Sequence, residues 1–225
     1  LQEYRSVLSQ RNEALKDGAP PELLEAWTEG LVEAGARVMA ARAGWIRERA
    51  DDFRRYHAEV AGGSDGTMEY EPSAGWPEEL EGKSDGGGPS SAWAGRFGRA
   101  LDDASERERE RGVTVVGPHR DEVAFRAQVA GEEERDLRTY GSGGQQRTAS
   151  LALRLVEADS LRDRLGREPV YLLDDVFAEL DEDRSGRLMR LLDEGRTGQA
   201  IVTSPKAGDL RLRGGSLAEW RIRDG

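Results

Sequence analysis

Apolar residues recur at helical spacing through the first 60 residues. Leu1, Leu8 and Leu15 lie seven apart, and Gly and Pro break the pattern at residues 17–21. A second repeat has the alternating spacing of three and four that is typical of a coiled-coil seam. Its members are Leu24, Trp27, Leu31, Ala34, Val38, Ala41 and Trp45. The pattern predicts two antiparallel helices, either as a coiled-coil-like arm or as two surface helices on a globular core.

Residues 61–91 interrupt these helical patterns. They are rich in Gly, Ser, Asp and Pro, and we expect a loop there with a short strand at residues 67–71. Helical character returns over residues 93–111, which end in the run SERERER. Alternating charges of this kind usually form a solvated helix face. We therefore assign residues 1–110 to a helical arm domain.

Short apolar runs with strand spacing dominate the rest of the chain. Val123, Phe125, Ala127 and Val129 alternate with polar residues as in a half-buried strand. The other predicted elements are a strand at 113–116, a helix that runs to about Arg164, a strand ending at Leu173, a helix at 183–195, a strand at 199–206 and a hairpin at 210–225. This order predicts an α/β domain over residues 111–225, with a parallel or mixed sheet covered by helices.

Composition and charge exclude several kinds of site. The 225 residues contain no cysteine, which excludes disulfides and thiolate metal sites, and only two histidines, which excludes a histidine-rich metal cage. No apolar run approaches about 18 residues and no signal peptide is visible, so we expect a cytoplasmic protein without a membrane partner. The net charge of −11 argues against a basic footprint over the whole surface but allows a local basic face.

Two acidic residues, Asp174 and Asp175, follow the apolar strand that ends at Leu173. Ligands of open α/β sheets bind beyond the carboxyl ends of the strands. At that place one carboxylate can hold Mg²⁺, and the second can orient or deprotonate an attacking water. The alternative is that the pair merely opens a loop after the strand.

Ser142, Gly143 and Gly144 stand at the start of a predicted helix. Helix amino termini carry unpaired N–H groups and a partial positive charge. Glycines let a phosphate approach this backbone closely, and the serine hydroxyl adds a donor. The segment therefore favours a phosphate site, although a plain helix cap would use the same residues.

Taken together, these segments resemble the ATP-binding-cassette (ABC) ATPases. SGGQ at 142–145 is similar to their signature, VYLLDD at 170–175 to their Walker B strand, and ELD at 179–181 to their D-loop; IVTSP at 201–205 lies where their switch strand is expected. The closer resemblance is to the RecF family of bacterial DNA replication and repair proteins. It is carried by QRN at 10–12, GPHRDE at 117–122, GSGGQQRT at 141–148 and LLDDVFAELDEDRSGRL at 172–188. The implied fold is the carboxyl-terminal part of an ABC-type ATPase head with a helical arm.

The resemblance implies an ATP site that is shared between two subunits, so that ATP binding drives the heads to form a homodimer. The signature residues Ser142, Gly143, Gly144 and Gln145 would contact ATP bound to the partner subunit. Asp174 would hold Mg²⁺, and Asp175 would position the attacking water. Asp181 of the D-loop would couple the two sites, and Thr203 or Ser204 would take the switch place, where many relatives carry His. The Asp-Asp pair, in place of the Asp-Glu of transporters, fits a slow ATPase.

The same resemblance implies ATP-dependent binding to double-stranded DNA and to gapped or single-stranded DNA. It further implies that the protein works with RecO and RecR to load RecA at gaps, and that SOS induction requires it. Candidate phosphate contacts are Arg42, Arg47, Arg49, Arg54, Arg55 and Arg120. The alternatives are a solvated arm surface for the first five and a structural turn with an Arg–Asp pair for the last. Two other functions remain open, an ABC-type ATPase of an SMC-like or transport system and a non-catalytic interaction fragment.

One motif that the resemblance requires is missing. A RecF-like ATPase needs a P-loop lysine near its amino terminus, and the sequence contains no G-x-x-x-x-G-K-[ST] segment. The first residue, Leu1, already belongs to a helical pattern. We expect that the first part of the head, with Walker A and the Q-loop, is absent from this sequence and that the chain alone hydrolyses no ATP.

Overall fold

The computed structural model describes residues 1–82, 88–128, 133–177, 180–193, 198–204, 218 and 220. Helices and strands are interspersed along the chain, which confirms the predicted α/β class. The elements are α1 (Gln2–Lys16), α2 (Pro21–Ala61), β1 (Gly66–Glu71), a 3-10 turn (Glu78–Leu80), α3 (Ser90–Arg111), β2 (Glu122–Gln128), β3 (Glu134–Asp136), α4 (Leu137–Tyr140), α5 (Gly143–Leu165), β4 (Tyr171–Asp174), α6 (Glu182–Asp193) and β5 (Ala200–Thr203).

The contacts divide the chain into two compact units. The first comprises Leu1–Asp51 and Thr67–Phe125, and the second comprises Asp52–Gly66 and Arg126–Gly225. The division does not fall at the predicted boundary between residues 110 and 111. Helix α2 belongs to both units because it continues without a break to Ala61.

Helices α1 and α2 run antiparallel in the first unit, as predicted. Arg11, near the end of α1, donates a hydrogen bond of 2.9 Å to Thr28, near the start of α2. Glu3, at the start of α1, accepts one of 2.7 Å from Arg37, which lies further along α2. Helix α2 begins at Pro21, and proline suits the first turn because its missing N–H would find no partner there.

The buried face of α2 in this unit differs from the predicted coiled-coil seam. Its fully buried apolar residues are Leu31, Ala34, Ala36, Met39, Ala43 and Ile46. Five of the seven members of the predicted seam are half-buried or exposed, namely Leu24, Trp27, Val38, Ala41 and Trp45. The reason is that α2 packs against two helices, since a Cβ on Gly35 would lie 2.5 Å from Phe97 of α3 and 3.2 Å from Tyr4 of α1. Two neighbours bury a wider face than a coiled-coil seam, as in an ordinary globular helix.

Residues 113–116 form no strand, contrary to the prediction. Side chains of the neighbouring helices take the place of a neighbouring strand. The Thr114 N–H donates to Asn12 Oδ1 at 2.8 Å, and the Val115 N–H donates to Glu108 Oε1 at 2.8 Å. The buried backbone donors are therefore satisfied without a ladder, which removes the need for strand pairing.

The charged run at the end of α3 is not uniformly solvated, and the prediction is wrong at Glu108. This residue is completely buried and pairs at 2.7 Å with Arg11, which is 3% exposed. Arg11 also donates to the Thr114 hydroxyl at 2.7 Å. The neighbours of Glu108 in the run are exposed, as expected. A buried ion pair survives when hydrogen bonds satisfy the remaining polar atoms, and both residues meet that requirement.

The described strands form two sheets. One has the order β1-β2-β3, and β2 pairs with β3 antiparallel from Arg126↔Asp136 to Gln128↔Glu134. The other joins β4 and β5 in parallel, with α6 between them in sequence, and confirms two predicted strands. Because the register pairs Asp174 with Thr203, these residues lie side by side where both strands end.

Helices α5 and α6 cover one face of the β4–β5 pair in the second unit. The shared core consists of Leu151, Val176, Phe177, Leu188 and Met189, with Leu173, Leu180, Leu192 and Val202 packed against it. On the strands, Leu172 and Ile201 are paired in register and are 74% and 49% exposed. Parallel sheets usually have both faces covered, so this apolar face is unusual among the described residues.

Some predicted features lie outside the described residues. They are Val129 of the second strand, residues 178–179, the end of the 183–195 helix, residues 205–206, and most of the closing hairpin at 210–225. Among the residues that are described, no helix is long and apolar enough to cross a membrane.

Candidate functional site

Helix α5 begins with a capping box at the predicted position. The Ser142 hydroxyl accepts a hydrogen bond from the Gln145 N–H at 3.3 Å, and Gln145 Oε1 accepts one from the Ser142 N–H at 2.8 Å. Gly143 and Gly144 occupy the first turn, where the helix itself offers no acceptor for their N–H groups. The structure thus confirms the helix cap and leaves the two glycine N–H groups at the exposed end of α5.

The turn that leads into α5 is fixed by one side chain and one glycine. Gln146 Nε2 donates to the carbonyls of Leu137, Arg138 and Gly141 at 3.0, 3.3 and 3.3 Å. A Cβ on Gly141 would lie 2.5 Å from the Leu137 carbonyl oxygen, so a larger residue would displace the turn. The amino end of α5 is therefore held in one position relative to the short helix α4.

The hydroxyl of Thr203 binds both acidic residues at the end of β4. Thr203 Oγ1 donates to Asp174 Oδ1 and accepts from the Asp175 N–H at 3.2 Å. The parallel register makes this possible, because it sets Thr203 directly beside Asp174. The structure therefore brings three of the predicted site residues together. Ser204, the other candidate for the switch place, is the next residue after β5 and is half-buried.

Asp175 has an unusual backbone and a further partner. Its φ is +46°, in the left-handed region that residues with a Cβ seldom occupy. Its carbonyl oxygen accepts a hydrogen bond of 2.9 Å from Arg147 Nη2 of α5. The side chain of Arg147 therefore joins the signature-like helix to the turn that carries the acidic pair.

Asp181, the predicted D-loop residue, caps helix α6. Its Oδ1 accepts from the Arg184 N–H at 2.8 Å, and its Oδ2 lies 3.3 Å from Arg184 Nη1. The Asp181 carbonyl also accepts from the Ser185 N–H at 2.9 Å. These contacts fix the start of α6 and give Asp181 a structural role in addition to the coupling role expected from the sequence.

Most of the arm arginines that were predicted to contact DNA are engaged within the protein. The contacts are Arg42 with the Pro118 carbonyl (2.5 Å), Arg47 with the Leu80 carbonyl (3.1 Å), Arg49 with Glu48 (3.5 Å) and Arg55 with Asp52 (2.7 Å). The Arg47 guanidinium also lies over the Trp76 ring at 4.2 Å. Arg54 is exposed. These contacts favour the structural alternative for the arm arginines.

The segment GPHRDE at 117–122 forms a turn that is held through Asp121. This carboxylate accepts hydrogen bonds from the Ser73 N–H at 2.8 Å and from the Tyr70 hydroxyl. Arg42 Nη1 lies 3.7 Å from Asp121 Oδ2, so an Arg–Asp pair exists as expected, but it is made by Arg42 and not by the adjacent Arg120. The adjacent Arg120 is exposed.

His119 of the same turn is oriented by two hydrogen bonds. Its Nε2 lies 3.1 Å from the Thr114 carbonyl, which can only accept, so Nε2 carries the proton. Its Nδ1 then accepts from the Tyr4 hydroxyl at 2.7 Å. Burial of the ring lowers the pKa of His119, against the opposing effect of the Thr114 carbonyl, and the neutral form prevails at pH 7. Although part of the residue is exposed, both ring nitrogens face the protein.

Comparison with known proteins identifies relatives over nearly the whole chain. No model of a protein family matches it. The DNA replication and repair protein RecF of Geobacter metallireducens is 39% identical over 214 residues, which cover 94% of this chain and 54% of that protein. RecF of Salinibacter ruber is 37% identical over 215 residues, with coverage of 92% and 49%. The chain belongs to the RecF family. It matches the carboxyl-terminal part of these proteins and spans about half of their length.

Two solved structures of RecF share the fold of this chain. One is the recombination mediator protein RecF-ATPrS in the RecFOR pathway, with a TM-score of 0.72, 29% identity, and coverage of 93% of this chain and 53% of that one. The other is RecF-ATP in the same pathway, with a TM-score of 0.70, 28% identity, and coverage of 92% and 52%. The predicted fold, the carboxyl-terminal part of a RecF-type head with a helical arm, is therefore confirmed as a fold.

The end of β4 has oxygen donors of the kind that Mg²⁺ prefers in proteins. Mg²⁺ takes oxygen ligands and usually binds through one or two carboxylates, together with waters and substrate phosphates. Asp174 is exposed at the end of its strand and has the Thr203 hydroxyl beside it. The residues therefore fit the ion, with Asp174 as its carboxylate.

Sequence reasoning missed two contacts that organise this RecF-family site. The bond of Arg147 to Asp175 joins residues that lie 28 positions apart. Thr203 was expected only as a candidate for the switch place, and its bonds to Asp174 and Asp175 were not. A register that aligned the ends of the two predicted parallel strands would have placed Thr203 beside Asp174, whereas no local pattern indicates the Arg147 contact.

Proposed function

We propose that this chain is the carboxyl-terminal part of an ATP-dependent DNA-binding protein of recombinational repair and replication restart. The observation that carries the proposal is the hydrogen-bonded set of Asp174, Asp175 and Thr203, linked by Arg147 to the capped amino end of α5. The RecF resemblance assigns these two groups to different nucleotide sites of a dimer, so that each site takes one group from each subunit. The role in DNA repair and replication is supported by the relatives, which are named DNA replication and repair protein RecF.

The amino end of α5 binds the terminal phosphate of ATP held by the partner subunit. The N–H groups of Gly143 and Gly144 and the helix dipole attract an anion, and the absence of side chains lets it approach. Ser142 accepts a bond from Gln145, so its hydroxyl hydrogen is directed elsewhere and can be donated to a phosphate oxygen. ATP then contributes to the interface between two heads and drives their dimerisation.

The end of β4 serves the nucleotide of the same subunit. Asp174 holds Mg²⁺, which when bound neutralises charge on the phosphates. Asp175 orients the attacking water and accepts its proton. Because an aspartate reaches less far than the glutamate of transporters, hydrolysis is slow and suits a switch that releases the dimer. Asp181 couples the two sites across the dimer.

DNA is the macromolecular substrate, in double-stranded and gapped or single-stranded form. Among the candidate arginines, Arg120 has the clearest disposition for a phosphate, because it is exposed on a turn that Asp121 anchors. Arg42, Arg47, Arg49 and Arg55 are occupied by the contacts given above, so any effect of these residues on DNA is expected to be indirect.

The protein acts in the cytoplasm with RecO and RecR, loads RecA at single-strand gaps and is needed for SOS induction. The support for this part is the family membership and the RecFOR pathway named for the two solved relatives. A second function has a specific observation in its favour, since the exposed apolar pair Leu172 and Ile201 would suit a non-catalytic interaction fragment. If this chain by itself bound ATP with measurable affinity, the result would favour neither of these two functions. It would instead contradict the expectation that a separate Walker A segment is needed.

ATP-dependent dimerisation of the full-length protein tests the proposal. We expect sedimentation velocity to show a dimer with ATP and Mg²⁺, and Ser142→Arg to abolish it because the larger side chain blocks the phosphate at α5. The matched control is Ser150→Arg on the exposed face of the same helix, which should dimerise normally. Equal dimerisation of the Ser142→Arg variant and the wild type would refute the role of the signature.

A further inference from the structure

The Asp175 backbone is held by side chains from two separate elements. Its N–H donates to Thr203 Oγ1 of β5 at 3.2 Å, and its carbonyl accepts from Arg147 of α5 at 2.9 Å. Neither bond belongs to a regular helix or strand. The orientation of the Asp175 carboxylate therefore depends on contacts made from outside its own strand.

The backbone conformation of Asp175 is one that these contacts can stabilise. Its φ of +46° lies in the left-handed region, which most residues with a Cβ avoid and which Asp adopts more readily than most. If either of the two bonds is removed, the peptide is free to relax towards a commoner conformation, and the carboxylate moves with it.

Arg147 is well suited to make such a link. Its guanidinium is always charged, and a charged donor bonds a carbonyl more strongly than a neutral one does. The residue is half-buried and lies one turn beyond Gly143, so it moves with the amino end of α5. Thr203 completes the arrangement, because one hydroxyl donates to Asp174 and accepts from Asp175.

We propose that Arg147 is a positioning residue that holds Asp175 in the orientation needed to activate water. Because Arg147 lies on α5, a shift of α5 would also shift Asp175. The inference rests on the proposed function, in which the amino end of α5 touches ATP bound by the partner. When α5 is engaged by that phosphate, Arg147 sets the Asp175 turn in the same subunit. Hydrolysis at one ATP thereby depends on the occupancy of the other.

The experiment compares ATP hydrolysis by full-length Arg147→Ala, Arg147→Lys and wild-type proteins. We expect Arg147→Ala to lower kcat by at least about tenfold while KM stays within about twofold, because a displaced catalytic group costs rate without costing substrate binding. ATP-dependent dimerisation should be retained, and Arg147→Lys should restore part of kcat since it keeps a charged donor. The matched control is Arg164→Ala, an exposed arginine at the far end of α5, which should behave as wild type.

The outcomes separate this inference from the proposed function. If Asp175→Asn abolishes hydrolysis and Arg147→Ala leaves kcat within about twofold of wild type, the positioning role is rejected and the proposed function stands. A parallel loss of kcat, dimerisation and thermal stability in Arg147→Ala would also reject it, since the residue would then be structural. If the wild-type protein neither dimerises nor hydrolyses ATP, the proposed function itself fails.

Hydrogen exchange supplies a readout that does not need nucleotide turnover. We expect the amides of residues 175–177 to exchange faster in Arg147→Ala than in wild type, and Arg164→Ala to leave them unchanged. Thr203→Val, which keeps the shape of the side chain but removes the hydroxyl, should accelerate the same amides, and Thr203→Ser should not. Unaltered exchange in both Arg147→Ala and Thr203→Val would show that the turn needs neither residue and would overturn the inference.

Discussion

At the scale of single residues, charges in this protein serve two different purposes. Arg11 and Glu108 are withdrawn from water and tie α1 to α3, whereas Arg120 is exposed on an anchored turn. Sequence patterns do not separate these cases, because burial depends on which helices meet. Arg11 falls within a segment that resembles the RecF family, and its structural role emerges only with its partners Glu108 and Thr114.

The buried ion pair gives a stability prediction. Glu108→Gln leaves the Arg11 guanidinium buried without its counter-charge, and we expect the free energy of unfolding to fall by about 3–5 kcal/mol. Urea denaturation followed by circular dichroism measures the change. Glu106→Gln, an exposed position of the same helix, is the matched control and should unfold like wild type. If the free energy of unfolding fell no further in Glu108→Gln than in Glu106→Gln, the Arg11–Glu108 pair would contribute no stability.

The exposed Arg120 gives a prediction about DNA. In the full-length protein with ATP, we expect Arg120→Ala to weaken binding to gapped duplexes of any sequence and to reduce the slope of log K against log salt by about 1. Fluorescence anisotropy at several salt concentrations measures both quantities. The control is Arg5→Ala, an exposed arginine of α1. An unchanged salt slope would exclude a phosphate contact by Arg120.

At the scale of elements, the site depends on how helices and strands end. The capping box fixes the start of α5, the parallel register sets Asp174 beside Thr203, and Asp181 caps α6. Most of these elements were predictable, because caps, glycines and apolar runs are local signals. The strand expected at 113–116 was wrong, since the backbone N–H groups of Thr114 and Val115 are bonded by helix side chains that no local pattern reveals.

A pair of glycine substitutions tests the turn before α5. A Cβ on Gly141 meets the Leu137 carbonyl oxygen at 2.5 Å, so we expect Gly141→Ala to destabilise the chain by about 1–3 kcal/mol. Gly186→Ala in α6 meets nothing within 4 Å and should stabilise it by about 0.5–1 kcal/mol. The midpoints of urea unfolding should fall for Gly141→Ala and rise for Gly186→Ala, relative to wild type. A Gly141→Ala variant as stable as wild type would show that the turn relaxes readily.

At the scale of the whole molecule, the sequence predicted the fold class and the members of the site better than their arrangement. The α/β class and the RecF-type fold are confirmed, and three of the predicted site residues meet at the ends of β4 and β5. The coiled-coil seam was wrong because packing against two helices, which the repeat does not encode, widens the buried face of α2. The link through Arg147 needed the three-dimensional structure, because it joins a helix to a strand end far along the chain.

The central claim is that each ATP site is completed by the signature of the other subunit. A mixing experiment tests this claim most directly. Full-length Ser142→Arg and Asp175→Asn should each be inactive alone, because the first does not dimerise and every site of the second lacks the Asp175 carboxylate. In an equal mixture, a heterodimer contains one site with an intact Walker B and an intact signature. We predict that the mixture regains measurable hydrolysis of at most about a quarter of the wild-type rate, since half of the dimers have one intact site of two. The rate falls below that limit because the working Asp175 belongs to the subunit whose α5 is blocked. A mixture that forms heterodimers but stays inactive would contradict the account.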